Sequence, residues 1–140
     1  MFQLTYVSAA RVGLSWADVD AIAVAARRNN HCNHITGLLV HDGARFLQVI
    51  EGERESVESL YSRIRADPRH VDPAVVTARA VTERAFSAWD LACQEVVTAD
   101  DSRSFALAIE DRIAEVSDRT LRMLFANFLA QRPARTAHAA

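Results

Sequence analysis

Only two cysteines, Cys32 and Cys93, occur in the 140-residue chain. That is too few for a disulfide framework, so reduced thiols in a cytoplasmic protein are the expectation. No run of about 18 apolar residues is present, so nothing reads as a membrane span. The N-terminal Met1-Phe2-Gln3-Leu4-Thr5-Tyr6 lacks the basic stretch and long apolar core of a signal peptide. An excess of one charge is also missing. Sixteen Lys and Arg against 18 Asp and Glu give a net charge of -2, which leaves no electrostatic footprint for nucleic acid. The few glycines form no dinucleotide-binding fingerprint. No Ser/His/Asp or activated-cysteine arrangement stands out. His31-Cys32-Asn33-His34 contains ligand-type side chains, but no second pair at a metal-binding spacing accompanies it. There is no internal repeat and no interdomain linker.

What the chain does have is 50% hydrophobic residues, enough for one compact domain. Phe2 to Ser8 is a β-type run. Ser15 followed by Asp18 has the capping-box spacing, with Leu14 placed to staple onto Val19. Val19, Ile22, Ala23 and Ala26 then recur at helical spacing, and Asn29-Asn30 should end that helix. Ile35 to His41 and Arg45 to Glu51 are strands joined by an Asp42-Gly43 hairpin signal. Val57, Leu60, Tyr61 and Ile64 mark a second helix, which must stop by Asp67 because Pro68 disfavours helix at the residue before it. Ala74 to Val81 and Trp89 to Val97 read as two further strands, giving the order βαββαββ. Both faces of the third strand are apolar, so both sheet faces need a cover. Two helices cover one. Ser102 to Val116 and a helix capped by Ser117, with the stripe Leu121, Leu124, Phe125, Phe128 and Leu129, should cover the other. Residues 1–98 form the expected core domain, 99–131 a C-terminal helical pair, and 132–140 a flexible tail.

Within this pattern Gln48 stands out. It shares a strand face with Phe46 and Ile50, and a buried amide needs partners for two donors and an acceptor. Tyr6, with Ser8 on the same face of the first strand, is a candidate partner. Asn29-Asn30 precedes Ile35-Thr36-Gly37-Leu38-Leu39. Arg63 and Asp67 are i, i+4 neighbours, Asp67-Pro68-Arg69-His70 closes the second helix, and Trp89 opens the last strand. Taken singly, each has an ordinary explanation: a satisfied core amide, a helix terminus, or a surface ion pair worth tenths of a kcal/mol.

Their joint order and spacing resemble the BLUF family, the sensors of blue light using flavin, over roughly the first hundred residues. The resemblance implies an α+β, ferredoxin-like βαββαββ sheet with two helices on one face and the two C-terminal helices on the other. It implies a flavin, FAD or FMN, between the first two helices, sandwiched by Ile22 and Ile64. Asn30 matches the family asparagine at the flavin carbonyl beside N5, and Asn29 its neighbour on the pyrimidine edge. Arg63 and Asp67 match the helix residues at the far carbonyl and ring nitrogen, and Arg69 lies toward the ribityl or phosphate region. Ser8 belongs to the same binding set.

The resemblance further implies a blue-light photoreceptor rather than an enzyme. Tyr6 would act as electron and proton donor and Gln48 as the amide that rearranges by rotation or tautomerism. Output would pass through Trp89 and Leu91 to a partner protein, in a cytoplasmic homo-oligomer that binds neither membrane nor nucleic acid. Leu91 stands where the family usually has methionine, which puts the relay to the last strand in question. Trp89 either flanks the pocket or points to solvent. Two other readings remain: a flavin oxidoreductase with an open substrate pocket, and a cofactor-free ferredoxin-like interaction or RNA-binding module. The latter would display aromatics on an open sheet face and a basic patch.

Overall fold

The structure, a computed structural model, describes residues 1–86, 94–97, 113 and 116–131. Strand β1 (Phe2–Ala10) leads into helix α1 (Trp16–Cys32). The hairpin β2 (Thr36–His41) and β3 (Arg45–Gly52) follows, then helix α2 (Arg54–Ala66), strand β4 (His70–Ala80), strand β5 (Gln94–Val97) and helix α3 (Arg119–Ala130). The five strands lie in the order β4-β1-β3-β2-β5, with β3 central and β5 parallel to β2. The expected βαββαββ order and α+β class are therefore observed. The boundary expected at 98/99, the helical stretch over most of 102–116 and the 132–140 tail fall outside the described residues.

Local chemistry explains most element ends. Ser15 and Asp18 form the reciprocal capping box: the Ser15 N–H donates to Asp18 Oδ2 at 2.9 Å and the Asp18 N–H to Ser15 Oγ at 3.1 Å. Helix α1 runs past Asn29-Asn30 to Cys32, two residues beyond the expected stop. It ends where Asn33 Nδ2 donates to the Asn29 carbonyl at 2.7 Å and His34 takes a left-handed φ of 54°. In the hairpin, Asp42 Oδ1 accepts from the N–H groups of Ala44 and Arg45 at 3.0 and 2.8 Å, and Gly43 supplies a φ of 97°. Strand β4 starts at His70 rather than Ala74. Pro73 is tolerated because β4 is an edge strand, and Asp72 takes a φ of 49° beside a register shift against β1. The cap of α3 is Asp118, not Ser117: its Oδ1 accepts from the N–H groups of Thr120 and Leu121.

Two apolar layers flank the sheet. On one side Leu4, Tyr6, Ile35 and Ile50 pack under Val57 and Leu60 of α2, while Leu39 and Phe46 meet Ile22 of α1. Leu14 joins the Ile22 cluster. On the other side Leu38, Val40, Leu47 and Val49 meet Phe86, Val116 and the Leu121, Phe125 and Phe128 stripe of α3. Each fully buried side chain of this size contributes about 1.5–3 kcal/mol. Helix α3 thus supplies the expected second cover, and two arginines strap it down. Arg79 of β4 pairs with the cap residue Asp118. Arg45 donates to the Phe128 carbonyl at 2.8 Å, with its guanidinium 4.2 Å from the Phe128 ring centre.

Gly37 in β2 has no room for a side chain: a Cβ there would lie 1.9 Å from the Val49 carbonyl oxygen of β3. Gly37→Ala must therefore push the two strands apart, and chemical denaturation is expected to show a loss of about 3 kcal/mol or more.

Candidate functional site

The strand register places the two polar side chains singled out above directly opposite each other. Tyr6 of β1 pairs with Gln48 of β3, which in turn pairs with Leu39 of β2. Side chains of one strand alternate between faces, so Tyr6 and Gln48 both point to the α1/α2 side. Tyr6 is fully buried and its hydroxyl donates to Gln48 Oε1. Burial, and secondarily the nearby Tyr61 and Asp67, push the phenol pKa well above its ordinary value, so the phenol stays protonated and a donor at neutral pH. The Tyr61 ring lies 5.4 Å away, tilted by 50°. The Gln48 amide nitrogen finds no partner among the described residues, which leaves two donors for whatever fills the adjoining space.

That space is a cleft between α1, α2 and the sheet, with about 550 Å³ of empty volume, part of it open to solvent. Its walls are apolar, with Ile22 from α1, Ile64 and Leu60 from α2 and Leu39 from β2, while Gln48, Asn29, Arg63, Asp67, Arg69 and His70 supply polar groups. Most of the expected binding residues therefore converge. Tyr6 sits behind Gln48 rather than on the wall. Ser8 also stands one residue back, its Oγ 2.9 Å from His70 Nδ1. The Asn30 side chain, Trp89 and Leu91 lie outside the described residues.

Arg63 and Asp67 do not form the i, i+4 pair that their spacing allows. Helix α2 ends at Ala66, and Asp67 is extended ahead of Pro68. Its carboxylate turns to Arg69 instead, accepting from Nη2 at 2.7 Å, from Nε at 3.0 Å and from the Arg69 N–H at 2.9 Å. These bonds hold the Asp67 pKa below its usual range and raise that of Arg69. The guanidinium of Arg63 has no ion-pair partner among the described residues and lines the cleft.

His70 is the wall residue that the sequence did not single out. Its ring lies 4.6 Å from the Phe46 ring, tilted by 46°, and meets the Tyr6 ring edge-on at 5.9 Å. Burial lowers its pKa to about 4, so the ring is neutral at neutral pH. Its place directly after Asp67-Pro68-Arg69 was the available signal, but only the β1–β4 pairing of Ala10 with His70 turns that position inward. No cluster of His, Cys, Asp and Glu suited to a metal occurs among the described residues, and no described helix is long and apolar enough to cross a membrane.

The donor set fits a flavin. Apolar walls on two helices suit the faces of a flat ring system. An amide, a guanidinium and a carboxylate in reach of one cleft complement an edge of alternating acceptors and a donor.

Comparison with known proteins agrees. The family pattern for BLUF, "Sensors of blue-light using FAD", matches residues 1–92. The photoactivated adenylate cyclase subunit beta of Euglena gracilis is 43% identical over 89 residues, covering 63% of this chain and 10% of the relative. The chain thus spans about a tenth of the length of the curated relatives it matches. Among solved structures, the dark state of BlrB, a BLUF protein, is 31% identical with a TM-score of 0.71, covering 92% of this chain and 95% of that one. BlrP1 of Klebsiella pneumoniae, solved with FMN and cyclic diGMP, is 32% identical with a TM-score of 0.74, covering 93% of this chain and 34% of that one. With its fold, its cleft and these matches agreeing, the chain belongs to the BLUF family, and it is a blue-light sensor domain of the flavin-using kind.

Proposed function

We propose that this chain senses blue light through a flavin held in the α1–α2 cleft and signals by contact rather than by catalysis. The observation that carries this reading is the buried Tyr6–Gln48 hydrogen bond beside a cleft lined by Gln48, Asn29, Arg63 and Asp67 between apolar walls. Ile22 and Ile64 would clasp the ring. Gln48, Asn29, Arg63 and Asp67 would meet its polar edge, together with Asn30, and Arg69 would face the side chain of FAD or FMN. The flavin, when bound, supplies the blue-absorbing chromophore and the electron acceptor. Tyr6, on losing an electron, becomes a strong acid and passes its proton to Gln48 Oε1, with which it already shares a hydrogen bond. The Gln48 amide then reorganises by rotation or tautomerism, and returning the electron and proton to Tyr6 leaves it in a different hydrogen-bonded arrangement.

Output would follow as a population shift across the sheet, from residues 1–98 into the helical pair of 99–131. Leu39 pairs on one side with Gln48 and on the other with Val96, which gives the amide a backbone neighbour in common with β5. Trp89 and Leu91 precede β5 in sequence and would belong to this relay. Helix α3 shows a partly apolar rim, with Leu124 and Leu129 half-buried and Met123 65% exposed, which supports contact with a partner protein or a second copy. The coverage of a tenth of the adenylate cyclase subunits supports the same division, with sensing in this unit and effector action elsewhere.

The deciding experiment is visible spectroscopy of the purified protein. A flavin spectrum that shifts reversibly to the red under blue light, without bleaching, is expected. Tyr6→Phe and Gln48→Leu should keep the flavin and lose the shift. A normal photocycle in Tyr6→Phe sinks the proton-donor role, and bleaching instead of a shift favours an oxidoreductase.

Loss of one polar-edge contact in Asp67→Asn should weaken flavin affinity by about tenfold, read by fluorescence titration of the apoprotein. Acid should also weaken the fold. His70 titrates at about 4 in the folded protein against 6.5 ordinarily, so between these values only the unfolded chain takes up the proton. Stability is complete above that window and falls through it by at most about 3 kcal/mol. His41, which burial also lowers, adds to the slope. Urea unfolding of His70→Leu should show a shallower decline over the same range.

A further inference from the structure

On the sheet face opposite the cleft, three polar residues stand side by side across three strands. Gln3 of β1 and Thr36 of β2 are both register partners of Glu51 on β3. All three are buried, Glu51 completely. The Glu51 carboxylate accepts four hydrogen bonds: from Gln3 Nε2 at 3.1 Å, Thr36 Oγ1 at 3.1 Å, and the backbone N–H groups of Ala85 at 3.0 Å and Phe86 at 2.7 Å. Two arginines brace the row from outside. Arg79 donates to Gln3 Oε1 at 3.0 and 3.2 Å. Arg84 donates to Thr36 Oγ1 at 2.8 Å, to the Glu51 carbonyl at 3.0 Å and to the His34 carbonyl at 2.7 Å.

A carboxylate held away from water is costly unless its lone pairs are satisfied, and here the satisfying groups are mostly not part of the sheet ladder. Two of the four donors belong to the start of the β4–β5 connection. Strands β4 and β5 are the two outer edges of the sheet. The first residues of the connection land on Glu51, in the middle strand, and Phe86 is then buried with the α3-side core. Gln48 sits three residues earlier on the same strand, facing the other way.

We propose that Glu51 is a positioning residue of the light response: it anchors the start of the β4–β5 connection beneath the strand that carries Gln48, and so sets how fast the dark arrangement returns. This rests on the photoreceptor reading above. Because Glu51 lies on the face away from the cleft, it does not bias the Gln48 amide toward either orientation. It stiffens the strands around Gln48 in both states and so raises the barrier between them.

The test uses the flavin-loaded full chain with three variants. Glu51→Gln replaces two acceptor oxygens by one. Thr36→Val removes one donor and keeps the carboxylate, covering the case in which Glu51→Gln fails to fold. Val116→Ala trims a buried residue of the same core that is not in the network. In Glu51→Gln and Thr36→Val the dark spectrum and the size of the red shift should match the unaltered protein, while dark recovery becomes faster by roughly threefold or more. Hydrogen exchange at the Ala85 and Phe86 amides should speed up about tenfold in Glu51→Gln. Val116→Ala should recover at the original rate. Unchanged or slower recovery in both network variants, equal acceleration in Val116→Ala, or unaltered exchange at Ala85 and Phe86 overturns the proposal. If the unaltered protein gives no reversible shift, the photoreceptor reading fails and the timing role falls with it. A normal shift with unchanged recovery in both network variants sinks the timing role alone.

Discussion

A phenol and an amide buried against each other across two neighbouring strands set the terms for the rest of this molecule. Their meeting depends on the β1–β3 register, which places Tyr6 opposite Gln48. A slip of one residue would turn every β1 side chain to the other face and put a polar group into the α3-side core. That register is held by apolar pairs on both sides of it, Leu4 with Ile50 and Val7 with Leu47, each facing its own layer. Burial then keeps the phenol protonated, so the geometry and the protonation state have one cause.

The central strand β3 serves as a partition. Phe46, Gln48 and Ile50 face the cleft side, while Leu47, Val49 and Glu51 face α3. Each face thus carries two apolar residues and one buried polar residue with a defined hydrogen-bonding task. On the cleft side the Gln48 amide oxygen accepts from Tyr6, and its amide nitrogen has no partner among the described residues. On the α3 side four donors saturate the carboxylate and fasten a loop. Helix α3 is fixed to the sheet at both ends, through Asp118 with Arg79 of β4 and through Phe128 with Arg45 of β3.

Signals that act over a few residues were readable from the chain. The capping box at Ser15, the Asp42-Gly43 hairpin, the stop before Pro68 and the α3 stripe each follow from local hydrogen bonding or a fixed periodicity, and each appears in the structure. The departures from local expectation are also local: α1 runs two residues further, the α3 cap falls one residue later at Asp118, and β4 starts at His70, where an edge position makes Pro73 acceptable. The side-chain partners of Asp67, His70 and Glu51 were not legible. Asp67 has an arginine at i−4 and another at i+2, and the end of α2 selects the second. Glu51 reads as an ordinary polar residue closing a strand, and its donors Ala85 and Phe86 are backbone groups 34 and 35 positions away.

The sequence by itself determined the element order, the two-faced apolar pattern of β3 and the presence of a lone glutamine within it. Alternation and helical periodicity are properties of neighbouring residues and need no fold to be expressed. Tertiary structure alone decided which groups close on that glutamine, which carboxylate is saturated, and that α1 and α2 leave a cleft between them. Those outcomes depend on strand order and packing distance, which bring residues far apart in the chain within hydrogen-bonding reach, as with Tyr6 and Gln48, 42 apart.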